Sequence, residues 1–153
     1  MMSLSCKVLE TLKGKSLVTA ESITGGGIGA ALTAVPGSSA VYKGGIVSYC
    51  DEVKHRILGV PEMVLEQYGA VSSQTAEYMA SGARKLLSAD IAVSVTGLAG
   101  PDGDDFGHEV GTVYIGYCDG LRCVAAEYHF IGDREEVRRK TVSSALEMIL
   151  EYN

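Results

Sequence analysis

Apolar residues recur along this chain at two distinct spacings, one suited to helices and one to strands. In Ser3 to Lys13, Leu4, Val8 and Leu12 stand four apart, the stripe of an amphipathic helix, and Gly14 is placed to cap it. Lys15 to Val18 reads as a short strand, and Ile28 to Thr33 as a tightly packed helix of small and apolar residues. The turn residues Pro36 to Ser39 end that helix. Val41 to Tyr49 then predicts a strand, with Gly44-Gly45 permitting a bulge near its start. Asp51 to Lys54 forms a short helical turn, and Pro61 opens a second short helix that Gly69 stops. From Ser72 the positions Ala76, Met79, Ala80, Ala83, Leu86 and Leu87 make one apolar face of a long helix. Ile91 to Val95 lacks strict alternation and predicts a strand buried on both faces. Gly111 to Tyr117 and Arg122 to Phe130 flank Asp119-Gly120, a hairpin signal. The last helix opens at Asp133, with Glu136 completing a capping box.

Helices alternating with early strands, followed by a late hairpin, predict an α/β fold. The expected form is a three-layer α/β/α sandwich around a mixed, mostly parallel sheet of about five strands. At 153 residues the chain is the size of one domain, spanning 1–153. In such sheets ligands bind beyond the carboxyl ends of the strands. Three polar stretches follow three strands here, around Ser22, from Tyr49 to Lys54, and from Thr96 to Pro101. They are expected to converge on one crevice.

Hydrophobic residues make up 46% of the chain and charged residues 21%, which is ordinary for a folded protein and excludes a disordered one. No apolar run is long enough to span a bilayer, and the N-terminus lacks the long apolar core of a signal peptide, so a cytoplasmic protein is expected. A net charge of -6 argues against nucleic acid as a partner. Cys6, Cys50, Cys118 and Cys123 show no C-x-x-C pair or zinc spacing and read as reduced, mostly buried thiols. Cys50 stands apart because polar residues surround it. Asp102, Asp104, Asp105 and His108 do not match a calcium loop and read as a solvated acidic loop, so no metal site is assigned.

The candidate chemistry centres on Ser22. A hydroxyl at a strand-to-helix junction, beside Gly25 and Gly26, meets unpaired backbone N–H groups that can hold an oxyanion. The alternative is that Ser22 or Thr24 caps the helix and the glycines serve packing. A serine nucleophile needs a base, and no His-Asp pair presents itself. Lys54 fills that role if a crevice lowers its pKa, with Tyr49 relaying the proton or orienting the amine; otherwise it is a solvated lysine. Arg134 and Arg138 stand four apart on one helix face, where like charges repel, and two guanidinium groups suit a phosphate. Gly25, Gly27 and Ala30 match a dinucleotide pattern only weakly, because no acidic residue ends the next strand, and no P-loop lysine follows.

Taken together, Thr19 to Gly26, Gly37-Ser38-Ser39, Gly44 to Tyr49, Val53-Lys54, Leu58-Gly59-Val60, Gly69 to Ser72, Thr96 to Pro101 and Val110 to Val113 resemble the CinA C-terminal domain family. The resemblance covers nearly the whole sequence, without the N-terminal CinA domain to which other members are fused. Members that stand alone are associated with nicotinamide mononucleotide deamidase activity. The resemblance therefore implies Ser22 as nucleophile, assisted by Lys54 and Tyr49. It also implies a nucleotide pocket lined by Thr24, Thr96 and nearby glycines, here Gly25, Gly26 and Gly97, with phosphate on Arg134; Arg138 stays a second phosphate candidate from its place on the same helix face. It implies a small nucleotide substrate, no cofactor, no membrane partner, and a homodimer or larger assembly. A nucleotide-binding or partner-binding module without turnover is the rival reading. Two departures bear on the site: Cys50-Asp51 replaces a common Ser-Asn, and Asp102 to Glu109 lacks the usual glycine-rich, Lys-Pro-containing run.

Overall fold

A computed structural model describes residues 2–153. In chain order the elements are α1 (Met2–Thr11), β1 (Leu17–Glu21), α2 (Gly27–Thr33), a 3-10 turn (Ser38–Ala40), β2 (Tyr42–Val47), α3 (Asp51–Arg56), α4 (Glu62–Tyr68), α5 (Ser73–Leu86), β3 (Ile91–Gly97), β4 (Thr112–Cys118), β5 (Cys123–His129) and α6 (Arg134–Glu151). The five strands form one sheet in the order β2-β1-β3-β4-β5. β1 pairs in parallel with β2 and β3, and β4 is antiparallel to both β3 and β5. Four strands thus point one way and β4 alone opposes them. The expected three-layer, mixed sheet is the observed one.

Alternating residues of the central strands feed two cores. Leu17, Ile91, Val93 and Val95 pack with Val8 and Leu12 of α1, Ile28 and Leu32 of α2, and Leu146 and Ile149 of α6. Val18, Ala20 and Ala92 face the other way, against Met79, Ala80 and Ala83 of α5 and Leu58 and Val60 ahead of α4. Small residues on this second face let α5 lie close to the sheet. Ser94 Oγ donates to Ala76 O at 2.6 Å, and a Cβ on Gly116 would stand 2.5 Å from the same oxygen. A Cβ on Gly82 would come within 1.8 Å of Leu58 O, so α5 and the segment before α4 meet backbone to backbone.

Several boundaries differ from expectation. β1 runs on through Thr19, Ala20 and Glu21, all buried, because these residues continue the ladders to both neighbours. α2 begins at Gly27, one residue ahead of the expected Ile28, and Ser22 lies in the strand-to-helix turn as anticipated. β3 likewise extends to Gly97, which places Thr96 in a strand. The register shifts between Leu17 and Val18, where Lys43 is left unpaired just before Gly44, so the bulge lies beside the glycine pair. Asp133 and Glu136 form the capping box of α6.

The cysteine expectation requires correction. The hairpin register sets Cys118 opposite Cys123, with Cα atoms 4.1 Å apart, and the two are joined as a disulfide. Spacing alone did not show this, because strand pairing and not sequence proximity brings the two sulfurs together. Of the four cysteines only Cys118 is buried; Cys50 and Cys123 are exposed.

Glu21 sets the entry to α2. Its buried carboxylate accepts from Thr24 Oγ1 at 2.7 Å, Ile28 N at 2.8 Å, Gly29 N at 3.0 Å and Thr19 Oγ1 at 3.0 Å. Glu21→Gln keeps the shape but puts an NH2 donor where a carboxylate oxygen accepted, orphaning at least one of the facing donors at about 1–3 kcal/mol each. Thermal melting should show Tm lowered by about 5 °C. An unchanged Tm would show that this network does not hold the turn.

Candidate active site

The carboxyl ends of the three parallel strands supply the site. Past the end of β1 the ladder continues, with Ser22 N donating to Val95 O at 3.1 Å; past β2, Ser48 N donates to Glu21 O at 2.7 Å. Ser22 and Ser48 are thereby fixed on neighbouring strands. α3 starts after Cys50 and carries Lys54 back towards the sheet, where its side chain is 1% exposed. Lys54 Nζ donates to Ser48 O at 2.7 Å and to Ser22 Oγ at 2.9 Å.

Lys54 is therefore not a solvated lysine. Removing an ammonium from water disfavours its charged form, and burial lowers the Lys54 pKa against the opposing pull of Asp51 and Cys50. A neutral amine in this position keeps an N–H for Ser48 O and turns its lone pair to the Ser22 hydroxyl. Ser22 is itself buried, 7% exposed, and its Oγ opens into the cavity described next.

That cavity, of about 530 Å³, is bounded by Ser22, Lys54 and Tyr49 on one side and by the chain from Thr96 to Phe106 on the other, with Arg134 at its rim. Arg134 Nη1 donates to Gly100 O at 2.7 Å and Nη2 to Tyr49 Oη at 2.9 Å, which ties α6 to both walls. The Tyr49 hydroxyl is thus engaged by Arg134, and the Lys54 amine is oriented by the Ser48 carbonyl.

The remaining expected residues divide between wall and scaffold. Thr96 and Gly97 line the cavity, and the Thr96 hydroxyl donates to Ala70 O at 2.8 Å. Thr24, Gly25 and Gly26 are outside the lining: Thr24 is 2% exposed and bonded to Glu21. Gly25 N donates to Ser22 O, and the α2 amides of Ile28 and Gly29 go to Glu21, so these donors are taken. Ile23 N and Thr24 N have no such partner among the described residues. Arg138 is also scaffold. Its Nε donates to Ile23 O and its Nη2 to Thr24 O, both at 3.1 Å, so it grips the turn after Ser22 while Arg134 alone reaches the cavity.

Two contributors escaped the sequence reading. Glu21 as the organiser of the turn was visible only as an acid in a strand-to-helix junction, and Ser48 acts through a carbonyl, which every residue has. Among the described residues no group of three or more His, Cys, Asp or Glu side chains could hold a metal, and no helix is long and apolar enough to cross a membrane.

Known proteins share this architecture. A structure of competence damage-inducible protein A (ComA) from Klebsiella pneumoniae superposes with a TM-score of 0.95 at 38% identity, covering 98% of this chain and 94% of that one. Nicotinamide-nucleotide amidohydrolase PncC from Pseudomonas putida is 49% identical over 88% of this chain and 84% of its own length. A CinA-like protein from Geobacter metallireducens is 46% identical over 89% of this chain, which spans only 33% of that longer protein. The family model described as the CinA C-terminal domain matches residues 2–153, and with the fold and the two relatives in agreement the chain belongs to the CinA C-terminal domain family.

Proposed function

We propose that this protein is a nicotinamide-nucleotide amidase, converting the carboxamide of nicotinamide mononucleotide to a carboxylate with release of ammonia. The observation that carries this reading is the buried Lys54 amine 2.9 Å from Ser22 Oγ, at the floor of the cavity. Similarity to the Pseudomonas putida amidohydrolase supplies the substrate class.

In this mechanism Ser22 Oγ attacks the amide carbon while the neutral Lys54 amine takes the hydroxyl proton. The tetrahedral oxyanion is held by the Ile23 amide, which borders the cavity, and the adjacent Thr24 amide, two of the unpartnered N–H groups of the turn. The Lys54 ammonium then returns its proton to the departing nitrogen, the C–N bond breaks, and ammonia leaves an acyl-serine ester. Water attacks that ester with Lys54 again as base, giving the nucleotide carboxylate and free Ser22. Arg134 receives the phosphate, exchanging its bond to the Tyr49 hydroxyl for an anion. Arg138 serves by fixing the carbonyls of Ile23 and Thr24, which orients the amides of the turn.

Ammonia release from nicotinamide mononucleotide tests the reading directly. Ser22→Ala should abolish it while leaving the fold intact, and Lys54→Arg, which retains charge but cannot lose a proton in this range, should lower kcat by about two to four orders of magnitude. A Ser22→Ala variant within tenfold of the parent would overturn the acyl-enzyme, and a parent that binds the nucleotide without releasing ammonia would favour a binding module. Because the catalytic form of Lys54 is neutral, kcat/KM should rise with pH up to a plateau whose limb lies below the ordinary lysine value of 10.5.

The same burial has a stability consequence of opposite sense. A lysine whose folded pKa is lowered binds fewer protons in the folded state than in the unfolded one. It therefore weakens the fold fully below the lowered value, less as pH rises through the window, and not at all above 10.5. Lys54→Met should thus raise Tm at pH 7 while eliminating turnover, and the gain should shrink towards pH 10. A Tm gain that does not change with pH would show that the ammonium is not what the fold resists.

Arg134→Ala should weaken nicotinamide mononucleotide at least tenfold more than nicotinamide riboside, as expected for loss of a charge-assisted contact. Equal effects on both would rule out phosphate recognition at Arg134.

A further inference from the structure

The segment from Asp102 to His108 forms a wall of the cavity through a local clasp. One carboxylate oxygen of Asp104 accepts from Phe106 N at 3.2 Å and His108 N at 3.0 Å, and the other lies 2.7 Å from His108 Nδ1. The turn thus closed on itself presents Phe106 outward. Its ring lines the cavity, yet the residue is 47% exposed. A half-exposed phenyl ring at the edge of a reactive cavity is an apolar surface without a protein partner on one side.

The position of that ring is built. Phe106 rests on Gly69, where a Cβ would come within 2.7 Å of two ring carbons. Gly69 has φ of +81° and ends α4, so the notch is provided by a residue that the backbone also requires to be glycine. Ala70 and Val71, which follow Gly69, continue the lining.

Charge at the cavity points to the kind of ring that fits. Asp51, Asp102, Asp104 and Asp105 line it, while the lining cations are Lys54 and Arg134. Asp104 is engaged by His108, which leaves Asp102 and Asp105 beside Phe106 on this wall without a cationic partner among the described residues. These carboxylates favour a cationic group next to them, and the face of a phenyl ring attracts one as well. A pyridinium carboxamide is flat, aromatic and positively charged.

Resting on the amidase reading above, we infer that Phe106 is the residue that stacks on the substrate's pyridinium ring, setting specificity for a charged ring over a neutral one. Its role is to position the carboxamide towards Ser22; it takes no part in proton transfer.

The test compares Phe106→Leu, which keeps apolar bulk, with Phe106→Tyr, which keeps an aromatic face. Phe106→Leu should raise KM for nicotinamide mononucleotide about tenfold with kcat changed less than about threefold, and Phe106→Tyr should restore the parental KM. Calorimetry in the Ser22→Ala background should show the oxidised nucleotide binding about tenfold tighter than its neutral dihydro form. That preference should collapse in the Phe106→Leu protein. A parental KM in Phe106→Leu, or equal binding of the oxidised and dihydro forms, would overturn the inference. A fall in Tm accompanying the loss in Phe106→Leu, unrelieved by Phe106→Tyr, would overturn it too, by showing a structural role.

Failure of the amidase reading is distinguishable. If the parent releases no ammonia, binding of the simple cation 1-methylnicotinamide to the parent and to Phe106→Leu decides the stacking question by itself. Binding that weakens in Phe106→Leu upholds it, and equal or absent binding overturns it.

Discussion

A carboxylate buried at the end of a central strand must find donors or leave the charge unmatched, and Glu21 finds four of them between Thr19 and Gly29. Two are backbone amides of α2, so the carboxylate occupies the place at the helix N-terminus that an external anion would otherwise take. One is the Thr24 hydroxyl, which closes the turn between strand and helix. The turn that remains carries Ser22, held from the other side by the Arg138 guanidinium on the carbonyls of Ile23 and Thr24. The geometry of the serine is therefore a by-product of satisfying one buried charge, and the glycines after it allow the chain to turn tightly around that carboxylate.

A second buried charge group works in the opposite sense. Glu21 is stabilised by its donors; Lys54 is given only one carbonyl and one hydroxyl and little water. The fold resists its ammonium form, so the amine beside the Ser22 hydroxyl becomes available at a lower pH than on an exposed lysine. On the proposed mechanism, stability and reactivity are set against one another at this single side chain.

The fold was legible in the sequence because hydrophobic spacing reports burial, and burial decides which elements stack. α5 showed itself through Ala76, Met79, Ala80 and Ala83, and the hairpin through Asp119-Gly120. The end of β1 was misplaced because Thr19 and Glu21 are polar, and they are buried only through the α2 amides that Glu21 accepts from and the ladders to β2 and β3. The convergence of Ser22, the Tyr49 to Lys54 stretch and the Thr96 to Pro101 stretch on one cavity was anticipated from their positions after strand ends. The division of labour between Arg134 and Arg138 was not, since one helical turn separates them and only the packing of α6 decides which reaches the cavity. The Cys118–Cys123 pairing depends on hairpin register, and the Ser48 carbonyl has no signature in any sequence.

The bridge from Arg134 to Tyr49 and Gly100 has a consequence for selectivity. Before any ligand arrives, this guanidinium already has a hydroxyl and a carbonyl as neutral partners spanning the two walls of the cavity. Two of its five N–H groups are engaged in this way, so an anion that takes the place of the Tyr49 hydroxyl gains a difference and not the full strength of a new ion pair. Weak or singly charged anions, abundant in any solution, gain little from such an exchange, whereas a dianionic phosphate gains more. On the proposed reading of Arg134 as the phosphate ligand, the occupied resting state filters anions by charge density, favouring those best able to displace a tyrosine hydroxyl.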